Sequence, residues 1–225
     1  MADENVKTLV VGDLHLKEEL ALPRVDAAVE ALGIERVVLC GDYVDEWCSS
    51  TLTTHDALDY LTIWVKTQRR RGLTVDLVLG NHDAQYLLRE PGPGTQTELY
   101  DVVANVLAEL DVRAAATVGS SLVTHAGVTR AWAEAHLDPA ESFEVDDLCR
   151  QLNALLDSGN ERDLRILTQA GPARGGTELP SPLWADPLPG VNQIVGHTPV
   201  ESVELFQIPQ KTVCIPRAIS CSATR

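Results

Sequence analysis

The sequence predicts an α/β fold, because strand and helix patterns alternate along its first half. Three short apolar runs predict buried strands, and each leads into Gly-Asp or Gly-Asn: 7–12, 36–40 and 73–79. Amphipathic patterns between them predict helices over 18–32, closed by Gly33, and over 53–71. Strands that alternate with helices indicate parallel βαβ units.

The second half predicts a less regular arrangement of the same elements. Helices are predicted over 98–110, 145–156 and 161–170, a hairpin over 114–124, a strand over 191–195 and one or two more strands within 200–215. Residues 171–190 contain four glycines and five prolines, so they predict an irregular loop. Neither an internal repeat nor a dividing linker is visible, and we expect one domain over residues 1–225.

Composition and charge exclude several classes of protein. A hydrophobic content of 44% over 225 residues suits a packed globule. The net charge of -15 repels nucleic-acid phosphates, which argues against general nucleic-acid binding. We find neither a leader pattern nor an apolar stretch long enough to span a membrane, so we expect a cytoplasmic protein without a membrane partner. Five cysteines without a Cys-x-x-Cys pair predict reduced thiols.

Polar side chains follow five of the predicted strands. The segments are Gly12-Asp13-Leu14-His15, Gly41-Asp42-Tyr43-Val44-Asp45, Gly80-Asn81-His82-Asp83, Thr124-His125-Ala126-Gly127 and Gly196-His197-Thr198-Pro199. In open α/β sheets, ligands bind beyond the carboxyl ends of the strands. We therefore expect these segments to meet in one cleft.

Each segment alone is also typical of an ordinary turn, since glycine supplies a positive φ and aspartate caps the following backbone. The set is more specific: the chain has six histidines, and four of them lie in these segments. The other two, His55 and His136, lie in helical patterns and are expected at the surface. Asp, Asn and neutral His bind Mn, Fe, Zn or Mg, and a strand-end carboxylate is well placed to bridge two ions. The residues thus predict an oxygen- and imidazole-rich metal site.

In this order, the five segments resemble the calcineurin-like metallophosphoesterase superfamily, and within it the phosphoprotein-phosphatase branch with its small bacterial and phage members. The resemblance covers nearly the whole chain, from about Val6 to Val200. It implies a four-layer α/β/β/α sandwich with two mixed sheets. It also implies hydrolysis of a phosphate ester by a hydroxide that bridges two divalent ions, most simply Mn²⁺, with Fe, Zn, Mg or Ni as alternatives.

By position, the resemblance also implies a role for each site residue. One ion would be held by Asp13, His15 and the bridging Asp42. The other would be held by Asp42 together with Asn81, His125 and His197. His82 would be the general acid that protonates the leaving oxygen, and Asp45 would orient it.

The sequence departs from the family pattern at two positions where arginines bind phosphate. Glu46 stands directly after the second aspartate of the second segment, and Asp186 stands two residues after Trp184. Both substitutions reverse the charge, which predicts weak phosphate binding unless another cation compensates. Three arginines are candidates: Arg89, Arg130 and Arg174. Arg130 is the best placed, because it follows the His125 segment closely.

Two further departures are smaller. Asp83 stands where protein phosphatases usually have glutamate and resembles the diadenosine tetraphosphatases in this respect. The tail after Lys211 lacks the usual closing Asp-Thr-Gly strand, which predicts an incomplete edge of the second sheet.

Three functions remain open from the sequence. The first is a phosphomonoesterase, similar to serine/threonine protein phosphatases, that acts on a phosphoprotein, a nucleotide or a small phosphoester. The second is a dinucleoside polyphosphate hydrolase or phosphodiesterase, because specificity resides in the walls of the cleft. The third is a metal-binding but catalytically weak regulatory module, which the two reversed charges favour. The physiological substrate, the metal and the oligomeric state stay open.

Overall fold

The structure, a computed structural model, describes residues 6–138, 143–168, 171–173, 186–199, 204–208 and 211–215. Its strands are β1 (Thr8–Val11), β2 (Arg36–Leu39), β3 (Thr74–Leu77), β4 (Ala116–Val118), β5 (Ser121–Thr124), β6 (Asn192–Val195), β7 (Glu204–Ile208) and β8 (Lys211–Ile215). Its α-helices are α1 (Glu18–Leu32), α2 (Thr51–Arg70), α3 (Asn81–Leu88), α4 (Tyr100–Glu109), α5 (Arg130–His136), α6 (Val145–Asp157) and α7 (Glu161–Thr168). A 3₁₀ turn, Thr97–Leu99, leads into α4.

The strands form two sheets. The first has the order β1-β2-β3, and its pairs are parallel, with Leu9 opposite Val37 and Val37 opposite Val75. The second has the order β4-β5-β6-β8-β7 and is mixed: β5, β6 and β8 are parallel, whereas β4 and β7 pair antiparallel at its two edges. The helices between β1, β2 and β3 are the crossovers that parallel neighbours require.

Three apolar clusters join these elements into four layers. The largest cluster packs α1, α2, α3 and α4 against the first sheet, with Leu22, Leu61 and Leu77 fully buried. A second packs α5, α6 and α7 against the other sheet, around residues such as Leu148. The third lies between the sheets and includes Val38 and Val123. The predicted α/β/β/α sandwich is confirmed, with the difference that among the described strands only the second sheet is mixed and the first is parallel.

Most predicted elements are present, and α1 has the predicted bounds. The predicted hairpin turns at Gly119-Ser120, between β4 and β5. Two helices, α3 and α5, were not predicted, because their eight and seven residues are too short to show a clear period. The tail begins with β8, which lies inside the second sheet between β6 and β7. Residues 216–225, on which the expected sheet edge depends, lie outside the described residues.

Three further expectations from the sequence can be compared with the structure. In the described part of the chain, no helix combines the length and the apolarity that crossing a membrane demands. Cys40, Cys48 and Cys149 take part in no disulfide. His55 and His136 are exposed, as expected for residues outside the metal cluster.

Glu18, at the start of α1, is an unusual member of the core. It is buried, and neither of its carboxylate oxygens forms a hydrogen bond with another described residue. Burial raises the pKa of Glu18 from 4.5 to about 8, and the nearby charge of Asp83 adds to the rise, against an opposing contribution from the backbone N–H of Glu18 itself. Glu18 is therefore held neutral over much of the physiological pH range.

We expect Glu18→Gln to remove a pH dependence of stability. Because the folded-state pKa is raised, the stabilising effect of the neutral carboxyl is complete below pH 4.5 and is lost as the pH rises through about 8. At about 1.4 kcal/mol per pKa unit, the wild type should lose roughly 3–5 kcal/mol relative to the variant across this range. Urea unfolding of both proteins between pH 5 and pH 9 measures this difference.

The control is Glu19→Gln, which changes the exposed neighbour in the same helical turn. The buried amide of the Glu18 variant has its own cost, but that cost does not depend on pH. Parallel stability profiles for the wild type and Glu18→Gln would show that Glu18 is ionised in the folded protein.

Candidate metal centre

All five predicted polar segments follow strands, and they meet at one edge of the two sheets. Asp13 and His15 follow β1, Asp42 and Asp45 follow β2, Asn81 and His82 open α3 after β3, His125 follows β5, and His197 follows β6. These strands run parallel within each sheet, so their carboxyl ends deliver the side chains to the same place.

The backbone at four of these residues lies in the left-handed region. The φ angles are 45° at His15, 55° at Asp42, 69° at Asp45 and 65° at His197. Non-glycine residues rarely adopt such angles, and they concentrate at functional sites where the surrounding structure holds them. The strained backbone turns each side chain back toward the common cleft.

Asp42 lies at the centre of the cluster. Its Oδ2 is 3.3 Å from His125 Nε2 and 3.6 Å from His15 Nε2, and its Oδ1 accepts a hydrogen bond from the backbone N–H of His82 at 2.9 Å. Two sets of side chains place their ligand atoms within 4.8 Å of one another, and Asp42 belongs to both: His15, Asp42 and His82; Asp42, His125 and His197. Such a shared carboxylate is what a two-ion site needs.

Asn81 and Asp13 lie beside these sets. Asn81 Oδ1 is 3.0 Å from His125 Nε2, and that nitrogen is 3.1 Å from His197 Nδ1. Asp13 Oδ1 accepts a hydrogen bond from the backbone N–H of His197 at 3.0 Å and is 3.8 Å from His125 Nδ1. The six predicted metal ligands are thus brought together, and His82, the predicted acid, lies equally near.

Backbone carbonyls orient two of the imidazoles. His125 Nδ1 is 2.7 Å from the carbonyl oxygen of Cys40, and His15 Nδ1 is 2.9 Å from that of Asp45. A carbonyl only accepts, so each Nδ1 carries a proton and each Nε2 faces Asp42, where its lone pair is available to a metal ion once the ring is neutral. This is the arrangement of metal-binding histidines, whose second nitrogen donates to a neighbouring acceptor.

The buried carboxylates of Asp13 and Asp42 give the cluster an excess of negative charge, which suits the binding of cations. Burial lowers the pKa of His125, but the carboxylates of Asp42 and Asp13 outweigh it and raise that pKa to about 10. Burial raises the pKa of Asp13, whereas the neighbouring imidazoles hold that of Asp42 below its usual value despite its burial. The carboxylates therefore draw a positive charge into the interior. Divalent ions would supply that charge and leave the imidazoles neutral as ligands, so the residues fit a metal centre.

His82 and Asp45 form the predicted pair. His82 Nδ1 is 3.2 Å from Asp45 Oδ2, and burial, which lowers the pKa of His82, is outweighed by this contact and by the charge of Asp42, which raise it. Tyr86 donates a hydrogen bond to Asp45 Oδ1 at 2.5 Å, and Thr95 Oγ1 lies 3.4 Å from Oδ2. Asp45 is thus held on both oxygens, which fixes the orientation of His82.

Asp83 braces the loop that carries Asp42. Its buried carboxylate accepts hydrogen bonds from the backbone N–H groups of Asp42 at 2.8 Å, Tyr43 at 3.0 Å and Gly80 at 2.9 Å. Gly80 has to be glycine, because a Cβ there would collide with the backbone nitrogen and carboxylate of Asp42. The aspartate noted as a departure from the family pattern is therefore a structural support.

Both reversed charges are paired with cations. Glu46 forms an ion pair with Lys17, and Asp186 forms one with Arg130 at 3.1 Å. Neither carboxylate presents an uncompensated charge to an incoming anion, which removes the physical basis of the expected repulsion. Arg130, the preferred candidate for binding phosphate, is occupied by Asp186.

Of the other two candidate arginines, the structure describes one. Arg89 is exposed and forms an ion pair with Asp101. Arg174 lies outside the described residues, as do the loop positions around Trp184.

A cavity of about 430 Å³ adjoins the cluster and is lined by His15, Asp45, Glu46, Trp47, His82, Pro93 and Gly94. A larger cavity, about 830 Å³, lies at the opposite ends of β2 and β3, where Arg36 and Thr74 line it. We assign the site to the smaller cavity, because the parallel strands direct the ligand-bearing residues to their carboxyl ends.

Comparison with known proteins agrees with this geometry. Residues 6–204 match the family described as calcineurin-like phosphoesterase. The chain belongs to this family. The phosphoesterase is thus a phosphoric ester hydrolase of a family that depends on two metal ions, and it contains two candidate ligand groups. Among curated proteins, no match is found.

Solved structures support the fold. A cold-active protein tyrosine phosphatase superposes with a TM-score of 0.61 at 17% identity, over 93% of the phosphoesterase and 69% of that chain. A crystal structure of such an enzyme from a psychrophilic Shewanella species gives a TM-score of 0.54 at 17% identity, over 93% and 71%. At these identities the likeness of the two phosphatase structures shows the fold alone. A putative diadenosine tetraphosphatase gives a TM-score of 0.42 at 18% identity, over 93% of the phosphoesterase and 86% of that chain, and no statement about the fold rests on this weaker match.

Sequence reasoning missed three contributors to the site: Tyr86, Lys17 and Trp47. Tyr86 follows His82 by four residues, the spacing that places two side chains on one face of a helix, so a prediction of α3 would have found it. Lys17 and Trp47 lie next to site segments but belong to no pattern that indicates a role.

We expect Asp42→Asn to abolish most binding of both ions, because Asp42 is common to both ligand groups. Asparagine tolerates the left-handed backbone at this position, so the fold should be retained. Elemental analysis of Mn²⁺-loaded protein measures the effect, with Asp56→Asn on the exposed face of α2 as control. Wild-type protein should hold two ions per chain; a saturating content of one would contradict the two-ion site.

Proposed function

We propose that this chain is a dinuclear-metal phosphomonoesterase, similar in activity to serine/threonine protein phosphatases. The observation that carries the proposal is the shared carboxylate of Asp42 within the same cleft as the His82–Asp45 pair. A ligand set for two cations and an oriented acid are the two elements that ester hydrolysis at phosphorus requires.

The ligands are assigned as follows: Asp13, His15 and Asp42 would hold one ion, and Asp42, Asn81, His125 and His197 would hold the other. Mn²⁺ is proposed because the set mixes carboxylate and amide oxygens with imidazole nitrogens and contains no thiolate. Lewis-acid activation of water and compensation of phosphoryl charge are the chemistry that divalent ions supply at such a set.

His82 would complete the reaction as a general acid. Water adds its oxygen to phosphorus, the bond to the ester oxygen breaks, and that oxygen takes the proton of His82. The phosphate product first keeps the two protons of the water and then releases one to the solvent, from which His82 regains its proton. Asp45 accepts a hydrogen bond from Nδ1, so the proton that is transferred resides on Nε2. Tyr86 and Thr95 hold Asp45 in place, which keeps the imidazole directed at the cleft.

Phosphate would be bound mainly by the ions. Lys17 and Arg130 are engaged by Glu46 and Asp186, so neither is available as the bidentate clamp that arginine provides in the family pattern. We therefore expect modest affinity for simple phosphate monoesters. The cytoplasmic location is part of this proposal, and it is supported by Cys40, Cys48 and Cys149, none of which takes part in a disulfide.

The primary test is hydrolysis of p-nitrophenyl phosphate by Mn²⁺-loaded protein. A phosphoserine peptide and bis-p-nitrophenyl phosphate extend it, because monoesterase activity predicts turnover of the peptide and little turnover of the diester. If only the diester is hydrolysed, the phosphomonoesterase proposal is wrong and the protein is a phosphodiesterase.

We expect His82→Asn to lower kcat by about two to four orders of magnitude, the usual effect of losing a general acid. The loss should be smaller for p-nitrophenyl phosphate than for phenyl phosphate, because a better leaving group needs less protonation. Steady-state kinetics with both esters measures the difference.

Metal content decides between the two roles that the geometry allows His82, since this residue also lies in a ligand group. The variant should keep both ions, and His55→Asn, at an exposed position on α2, serves as control. Loss of metal, or an equal loss of activity on all leaving groups, would make His82 a ligand and not the acid.

A further inference from the structure

The most exposed large apolar side chain in the described part of the chain lies at the candidate site. Trp47 is 76% exposed, and it lines the same cavity as His15 and His82. Tryptophan offers a wide flat face, and burying that face against a ligand is favourable. An open indole beside catalytic residues is therefore suited to contact a substrate.

The backbone at Trp47 is fixed in position. Its N–H donates a hydrogen bond to Glu46 Oε1 at 3.0 Å, and the other oxygen of Glu46 is paired with Lys17. Two residues further on, the backbone N–H of Ser49 donates to the carbonyl of Glu46 at 3.2 Å. The indole is thus presented by an anchored turn, which lowers the entropic cost of binding.

The shape of the cavity leaves room for a flat group. Pro93 and Gly94 also line it, and neither carries a long or charged side chain. Its volume of about 430 Å³ lies within the range of roughly 300–1,000 Å³ that is common for small-molecule sites.

The charges of the cavity favour stacking over ionic recognition of the group beyond the phosphate. Among its described lining residues there is no lysine or arginine, and the one carboxylate next to Trp47, Glu46, is neutralised by Lys17. Apart from the imidazoles and Asp45 of the catalytic pair, the remaining large contact surface is the indole.

We propose that Trp47 stacks on a flat aromatic ring of the ester's leaving group. Among the phosphate monoesters that the site hydrolyses, the preferred ones are then small esters of a nucleoside or of an aryl alcohol, ahead of esters without a ring such as phosphoserine. This inference rests on the proposed function, since it names the substrate of the same site. Stacking is tolerant of ring identity because every such ring presents a π-face.

The test compares three esters: adenosine 5′-monophosphate, phenyl phosphate and glycerol 2-phosphate, which has no ring. Wild-type protein should prefer the ring-bearing esters, and Trp47→Ala should lower that preference, taken as the ratio of kcat/KM values, by about tenfold, within the range for stacking of a base on an aromatic side chain. Trp47→Phe should keep most of it. Ile63→Ala, at an exposed apolar position on α2, should leave the ratio unchanged. Two ratios are compared, that of adenosine 5′-monophosphate to glycerol 2-phosphate and that of phenyl phosphate to glycerol 2-phosphate. The one that falls more in Trp47→Ala shows whether the preferred ring belongs to a nucleoside or to an aryl alcohol.

A binding measurement separates this inference from the proposed function. Adenosine and phenol, which have no phosphate, should bind metal-free wild-type protein and quench its tryptophan fluorescence. Titration calorimetry, which does not need the indole that the substitution removes, should show the affinity of the preferred ring falling about tenfold in Trp47→Ala. Hydrolysis of glycerol 2-phosphate together with an unchanged ratio in Trp47→Ala would overturn the stacking role alone. If no ester is hydrolysed, the proposed function fails, and the absence of quenching by both compounds would then overturn the stacking role as well.

Discussion

The site depends on the buried carboxyl group and backbone of Asp42. Its carbonyl oxygen accepts hydrogen bonds from the N–H groups of Leu14 and His15 at 3.1 and 2.8 Å, its Oδ1 accepts one from His82, and its Oδ2 faces His125. One residue thus connects the loop after β1, the start of α3 and the end of β5. The backbone of Asp42 lies at a φ of 55°, so the rest of the structure has to hold it there.

Asp83 and Gly80 supply that support. Asp83 accepts hydrogen bonds from the backbone N–H groups of Asp42 and Tyr43. Gly80 has no side chain, so α3 can begin directly against Asp42. Burial, followed by the charge of Asp42, raises the pKa of Asp83 to about 6. Burying the Asp83 carboxylate next to that of Asp42 would destabilise the fold if three backbone N–H groups did not donate hydrogen bonds to it. The negative charge concentrated here also makes the cleft suited to cations.

The sequence predicts much of this structure and the clustering of all six candidate ligand residues, for a physical reason. Apolar runs fix the buried strands, and residues directly after parallel strands have to meet at one edge, so Asp13, His125 and the rest follow from position alone. The short helices α3 and α5 do not follow, because packing and capping, not periodicity, decide helices of this length. Tyr86 was missed together with α3. The ion pairs of Glu46 and Asp186 are long-range contacts that no local pattern encodes.

These two ion pairs change the meaning of the reversed charges. Read along the sequence, Glu46 and Asp186 are acids where the family pattern has arginine, and they indicate repulsion of phosphate or loss of catalysis. In three dimensions, Lys17 and Arg130 restore a near-neutral balance, while His82 and Asp45 keep the geometry of an acid pair. Under the proposed function, an enzyme with neutral walls would bind phosphate through its ions and would have to obtain further affinity from uncharged surface. Trp47, next to Glu46, would provide that surface, so the proposal treats the missing arginine clamp and the exposed indole as two parts of one change in specificity.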